Sequence, residues 1–282
     1  MSGSGISNMN MNMNMNMGFA GIAESTGTPT RIRFNTADYR KLIPTPIPPL
    51  EPVPRPQFPQ NWDADLHSYI YLDAFILSNP GWFAAMLTPV GVPPFSLQNE
   101  LVAILNMSPD RDDRFLEIIH QHDAEGAISY YLGMLMIDPA RHPSTNLLIR
   151  AARRIGEHVT MKLKGHFMLP RPSQLCPAIV PMIDPPVTPS FPAGHALQAR
   201  LITLCLQAAW PGPQRQTLLD YLAARIGENR VIAGLHYPID ITAGVKVANA
   251  LFLLLNPPPP TSGPPPPPTP FQQLIAQAAT EG

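Results

Sequence analysis

Cysteine is nearly absent from this chain. Cys176 and Cys205 are too few for a disulfide framework, and a reducing compartment is compatible with them. An excess of charge of either sign is also missing: the net charge is −1, with no basic stripe, which argues against nucleic acid as a partner. The N-terminal segment has no basic stretch followed by an apolar one, so it does not read as a secretory signal. No apolar run reaches about 18 residues without interruption, so no membrane span is expected, and the expected location is the cytoplasm.

Proline is abundant, with 37 in 282 residues, concentrated towards the two ends. This divides the chain into an N-terminal arm (1–58), a core (59–256) and a C-terminal tail (257–282). The arm opens with an Asn-Met alternation from Asn8 to Met17, a low-complexity pattern. From Ile43 to Pro59 proline recurs every one to three residues, which favours extended polyproline II lying on the core, lying on a partner subunit or serving as a spacer. In the tail, two oligoproline blocks precede Phe271–Ala279, which can form one short amphipathic helix. A homodimer or higher homo-oligomer is expected.

The core reads as helices throughout, and 45% hydrophobic content is ample to bury them. The expected elements are Trp62–Leu77, ended by Asn79-Pro80-Gly81; Leu97–Leu105, capped by Ser96; and a helix opened by Ser108-Pro109-Asp110 and running to about His122. Then come a buried helix at Ala127–Ile137, a long helix from Ser144 or Thr145 to about Leu169, and three more at Ala196–Trp210, Gln214–Ile226 and Ile239–Leu255. Cys176–Ser190 is proline-rich and without a period, a loop that can wall a site. His120 and His122 are two apart and do not share a helix face, so His120-Gln-His-Asp123 reads as solvated surface or the rim of a site rather than a metal centre.

Chemistry concentrates between Lys164 and Asp240. Lys164-Gly-His-Phe-Met-Leu-Pro-Arg171-Pro172 supplies two cations, and Arg230 a third. Each arginine offers a planar fork of donors to two oxygens of one anion, and the lysine adds a compact charge. Gly194-His195 precedes an apolar helix, so backbone N–H groups and the positive end of the dipole can face the same anion. His236 and Asp240 are four apart, and on one helical turn the carboxylate can accept from one ring nitrogen, leaving the other free to attack or ligate. A single Arg-Pro or one histidine on an apolar face would be an ordinary structural feature; the ordered set is far more specific.

These pieces resemble the signature Lys-x6-Arg-Pro, Pro-Ser-Gly-His, Ser-Arg-x5-His-x3-Asp of the vanadium-dependent haloperoxidases and the type 2 phosphatidic acid phosphatase superfamily. Two positions depart from it: Ala193 and Asn229 stand where the signature has serine. Losing the hydroxyl at Ala193 removes a bond to a charged group, worth on the order of 1.5 to 3 kcal/mol, so oxyanion affinity is expected to be weaker rather than absent.

The resemblance implies an all-α helical bundle and two activities. In the first, a haloperoxidase, Lys164, Arg171, Gly194, His195, Arg230 and His236 hold orthovanadate, with His236 the ligand to the metal. His195 takes a proton from peroxide, Lys164 polarises the bound peroxide, and Asp240 orients His236. Its partners are halide (chloride or bromide), hydrogen peroxide and small organic acceptors. In the second, a soluble acid phosphatase, phosphate occupies the same cradle, His236 is the nucleophile and His195 the general acid. The first reading leads, on the context Arg171-Pro-Ser-Gln-Leu-Cys and Glu228-Asn-Arg-Val-Ile-Ala-Gly-Leu-His-Tyr-Pro. The halide-side aromatics are not at their expected places, which hold Met161 and Thr188; Phe167 and Phe191 are candidates to replace them. A non-enzymatic protein with a vestigial anion site fits the intact residue set least well.

Overall fold

The structure is a computed structural model that describes residues 62–91 and 97–282. The N-terminal arm and the expected cap at Ser96 lie outside the described residues. Among those described the fold is all-α: α1 (Ala64–Ser78), α2 (Trp82–Val90), α3 (Leu97–Met107), a 3₁₀ turn (Ser108–Asp110), α4 (Arg111–His120), α5 (Ala124–Met134), α6 (Pro143–Phe167), α7 (Pro172–Leu175), α8 (Gly194–Ala209), α9 (Pro213–Ile232), α10 (Pro238–Leu255) and α11 (Pro270–Ala279).

Proline at the first helical position and local caps set most of these boundaries. Pro143, Pro213, Pro238 and Pro270 each open a helix, where their missing N–H costs nothing. Asp63 caps α1 through Leu66 N at 2.9 Å, and Asp123 caps α5 through Gly126 N at 2.6 Å. Sequence periodicity misses α2, because Pro80-Gly81 reads as a break and Pro89 lies inside the helix itself.

The bundle is built around α8, which packs against α6, α9 and α10, while α1 lies on α6. On α6 the fully buried Leu148, Ala152, Ile155, Val159 and Leu163 recur every three or four residues, the stripe of a core helix. Leu197, Leu201, Leu206, Ile226, Val247 and Leu251 meet that stripe with no exposure above 1%. Each such aliphatic side chain is worth about 1.5 to 3 kcal/mol when fully buried.

The C-terminal segment is not a free tail. In α11, Phe271, Leu274, Ile275 and Ala278 join the same core, and the Trp210 indole N–H donates to Ala278 O at 2.8 Å. Beyond it, Glu281 accepts from the backbone N–H groups of Ser144 and Thr145 at 2.9 and 2.8 Å and from the Thr145 hydroxyl at 2.7 Å. The C-terminus thus caps the first turn of α6, so the proline blocks before α11 form a connector rather than an edge of the core.

The expectation about apolar runs also needs correction. Among the described residues one helix, α10, is long and apolar enough to cross a membrane by length and composition, with a mean hydropathy of 1.5 and 39% of it buried. Asp240 and Lys246 interrupt the run but do not lower its average below that mark. The same helix packs along α8 and α2 and carries a buried carboxylate into the candidate site.

Candidate active site

Three chain reversals bring the charged residues of the sequence together. α6 carries Lys164 in its last turn and ends at Met168, in the left-handed region (φ 51°). Leu169-Pro170 then turns the chain, and Arg171 sits in extended conformation just before α7. Gly194 opens α8 close to α6: a Cβ there would lie 3.2 Å from Thr160 Cγ2. Arg230 lies in the last turn of α9, and Gly234 (φ 74°) makes the turn that returns the chain to His236.

Lys164, Arg171, Arg230, His236 and Asp240 are all buried. Lys164 Nζ donates to the carbonyls of Pro189 and, at 2.8 Å, of Ser190. Arg171 donates through Nε to Thr188 O at 2.9 Å, through Nη2 to Thr188 Oγ1 at 3.0 Å and through Nη1 to Leu235 O at 2.9 Å. Both cations therefore pin the 188–190 loop, and each keeps N–H groups in reserve: a lysine has three and an arginine five. Arg230 donates from Nη2 to Ile118 O at 3.2 Å, whereas its Nε and Nη1 find no partner among the described residues. Two buried guanidinium nitrogens with no acceptor among the described residues fit an oxyanion ligand.

His236 does not share a helical turn with Asp240, contrary to expectation. It precedes α10, and Asp240, in the helix's first turn, reaches back. Asp240 Oδ2 accepts from His236 Nδ1 at 2.9 Å, from Tyr237 N at 3.1 Å and from Ser190 Oγ at 2.5 Å. The carboxylate thus caps its own helix and orients the imidazole, whose Nε2 lies 3.4 Å from Arg171 Nη1, on the cationic side.

His195, in the first turn of α8, is partly accessible, as the approach to a site requires. Arg230, His236 and His122 lie near enough to its ring to act on it electrostatically.

Electrostatics describe a cradle short of negative charge. Burial lowers Lys164 to about 7, helped by the nearby Arg171 charge and opposed by Asp240. Burial lowers both Arg171 and Arg230 to about 10. His236 falls to about 4, chiefly by burial and further by Lys164 and Arg171, against the pull of Asp240. Burial, then the charges of Arg230 and His236, hold His195 well below the usual histidine range. An anion between these groups would oppose every one of these shifts.

Sequence reasoning does not single out Ser190 and reads Thr188 only as a halide-side place without its aromatic; both are uncharged residues in a loop without a period. Asn229 does not take the place of a serine beside the anion. Its side chain turns to α4, donating to Glu117 Oε2 at 3.1 Å and to Gln121 Oε1 at 2.9 Å and accepting from Arg114 Nη1 at 3.0 Å. Met161 is 46% exposed on α6, and Phe167 and Phe191 stack edge to face, 4.9 Å between centroids.

A profile of the PAP2 superfamily matches residues 147–259, a span that contains every cradle residue. Residues 147–259 are a PAP2 superfamily domain. Among solved structures, the chain is similar to the first transmembrane PAP2 type phosphatidylglycerolphosphate phosphatase from Bacillus subtilis, at 17% identity and a TM-score of 0.33. The likeness covers 68% of this chain and 93% of that one. No curated protein matches the chain. Within the PAP2 domain, α6, α8, α9 and α10 and the segments that carry Arg171 and His236 supply the cradle, while α4, whose Ile118 carbonyl accepts from Arg230, lies before the matched span.

Proposed function

We infer that the PAP2 domain hydrolyses phosphomonoesters through a phosphohistidine on His236. The observation that carries this reading is the His236 and Asp240 pair: Nδ1–H is held by the carboxylate at 2.9 Å, which leaves the Nε2 lone pair on the side of Arg171. In the first step Nε2 attacks phosphorus, the bond from phosphorus to the ester oxygen breaks, and His195 in its protonated form gives its proton to the departing alkoxide. In the second, His195, now neutral, removes a proton from water, whose oxygen attacks the phosphohistidine. The P–N bond breaks, its electron pair returns to Nε2, and inorganic phosphate leaves. Arg230, Arg171 and Lys164 stabilise the charge on the non-bridging oxygens throughout.

Orthovanadate has the shape and charge of phosphate, and the unpartnered N–H groups of Arg230 fit it equally. Lys164, Arg171, Arg230 and His236 would hold it, and bound vanadate would supply peroxide activation for halide oxidation. Two features favour the hydrolytic reading. Thr188, at a place expected for a halide-side aromatic, is engaged by Arg171, and Met161, at the other, points to solvent.

The test sets hydrolysis of an aryl phosphate beside peroxide-dependent bromination of a cyclic diketone, with and without added orthovanadate. Hydrolysis without vanadate, inhibited when vanadate is added and lost in His236→Ala, is expected. Bromination that requires vanadate, with no phosphate release, would overturn the phosphatase reading.

A further inference from the structure

We propose that the Thr188 hydroxyl is a further ligand of the bound phosphate, donating its proton to a non-bridging oxygen; the inference rests on the phosphatase reading for the identity of the anion. The loop 188–190 carries two hydroxyls on the cradle side, and they are committed differently. Ser190 Oγ donates to Asp240 Oδ2 at 2.5 Å, so its proton is taken within the chain. Thr188 Oγ1 accepts from Arg171 Nη2 at 3.0 Å, and its own proton meets no acceptor among the described residues. A hydroxyl has one proton to give and two lone pairs, so accepting from the guanidinium leaves its donor function free.

Arg171 ties that free donor to the reacting nitrogen. Its Nη2 bonds the Thr188 hydroxyl, while its Nη1, on the same rigid plane, stands 3.4 Å from His236 Nε2. A phosphoryl group at Nε2 therefore has its oxygens beside the terminal nitrogens of Arg171, one guanidinium away from Thr188. Three of the five N–H groups of an arginine are engaged here, by Thr188 O, Thr188 Oγ1 and Leu235 O, which leaves one on each terminal nitrogen for the anion. The hydroxyl adds a donor next to the remaining N–H of Nη2, and two adjacent donors can close on one charged oxygen.

The hydroxyl is also fixed in place before any ligand arrives, the condition under which a donor serves an anion best. Thr188 N donates to Pro186 O at 2.7 Å, and Thr188 O accepts from Arg171 Nε at 2.9 Å, so the residue is held on both sides of its Cα. The carbonyls of the next two residues, Pro189 and Ser190, accept from Lys164 Nζ. Val187 is fully exposed whereas Thr188 is half-buried, so the loop passes from solvent to the cradle between them and leaves the hydroxyl open to a ligand. Ala193 offers no hydroxyl, and the Asn229 side chain turns to α4. Among the described residues, Thr188 carries the one hydroxyl that touches a cradle cation and keeps its proton uncommitted.

Thr188→Val removes the hydroxyl at nearly constant volume and leaves Arg171 its two main-chain partners, the carbonyls of residues 188 and 235. Orthophosphate binding, read by calorimetry, should weaken by about 10- to 100-fold, the range for a hydrogen bond to a charged group. Thr188→Ser, which keeps the hydroxyl, should bind as wild type does. A crystal structure of the wild type with orthovanadate should place Thr188 Oγ1 about 3 Å from an anion oxygen, and one of Thr188→Val should show Arg171 unmoved. Unchanged or tighter binding in Thr188→Val, a hydroxyl out of reach of every anion oxygen, or a wild type that binds neither anion would each overturn the proposal. Weaker binding with Arg171 displaced would overturn it too, because the loss would then belong to the guanidinium. Since binding is read without turnover, a protein that holds phosphate through Thr188 yet hydrolyses no ester would sink the phosphatase reading and leave this ligand standing.

Discussion

Two clusters of buried arginine lie in this fold, and they are balanced differently. Around Asp65, on α1, Arg153 and Arg154 each approach a carboxylate oxygen at 2.6 Å, and Arg150 stands 4.0 Å away. The same three arginines meet further carboxylates: Glu157 pairs with Arg153 at 3.3 Å and with Arg154 at 3.2 Å, and Glu125 with Arg150 at 2.7 Å. Burial alone would raise the Asp65 carboxyl, yet the Arg153 hydrogen bond and the three positive charges outweigh it and lower it. In the cradle, the one carboxylate that acts on Lys164 and Arg171 is Asp240, whose Oδ2 faces His236, Tyr237 and Ser190 instead. Where cations meet carboxylates within the chain, the arrangement ties α1 to α6. Where they meet carbonyls instead, no carboxylate among the described residues balances Arg230, and under the phosphatase reading proposed above a phosphate would supply the missing charge.

The widest contrast comes from removing one charge in each cluster. Asp65→Asn should destabilise the protein by about 3 to 5 kcal/mol in urea unfolding, because it leaves buried guanidinium groups uncompensated. Arg230→Met should change stability by no more than about 1 kcal/mol in either direction, since an apolar chain of similar volume replaces a charge with no carboxylate partner. Orthophosphate should separate the pair again. At a hundred times its Kd it should stabilise wild type by about 2.7 kcal/mol, while adding little to Arg230→Met. If Arg230→Met unfolds the protein as Asp65→Asn does, the two clusters are both structural and the contrast fails.

The pH dependence sharpens the same point. Unoccupied, the cradle disfavours its own protons: Lys164, lowered to about 7 in the fold, binds fewer protons there than in the unfolded chain between about pH 7 and its ordinary range near 10.5. Stability of the ligand-free protein should therefore rise with pH across that window at this group. Phosphate binding should do the opposite and weaken as Lys164 loses its charge above about 7. The kcat/KM profile should be bell-shaped, failing on the acid side as His236 is protonated near 4 and on the basic side as His195 and Lys164 lose theirs. Thermal melts with and without phosphate from pH 5 to 10, beside initial rates, check both signs.

Much of this site is legible in the sequence, for a physical reason. Lys164, Arg171, Arg230 and Asp240 are charged residues in apolar surroundings, and burying a charge requires a partner, so their spacing carries information. The helices were legible wherever an apolar stripe coincided with proline or an acidic cap, as in α6 and α9. Thr188 and Ser190 were not, because a hydroxyl in a proline-rich loop has no periodicity to betray its target. The i and i+4 spacing of His236 and Asp240 suggests one turn, whereas His236 lies outside α10. Asp240 closes the same distance from within the helix by reaching back past Tyr237, whose N–H it also satisfies.

The smallest expected effect tests how nearly complete the cradle is without the signature's hydroxyl. Ala193 is fully buried, stands in extended conformation immediately before α8 and donates its N–H to Asp240 O at 3.0 Å, so its backbone is fixed by the same residue that orients His236. A hydroxyl added at its Cβ has two destinations. It can cap α8 by accepting from an N–H of the first turn, worth about 1 kcal/mol of stability, or it can donate to an anion, worth on the order of 1.5 to 3 kcal/mol of affinity. An occupied cradle rewards the second, because a charged acceptor outcompetes a neutral donor that solvent can also satisfy. Ala193→Ser should therefore tighten orthophosphate or orthovanadate binding by about 10-fold by calorimetry, while its unliganded melting temperature moves by a few degrees at most. An unchanged affinity with a raised melting temperature would mean that the side chain at 193 serves the helix and not the anion.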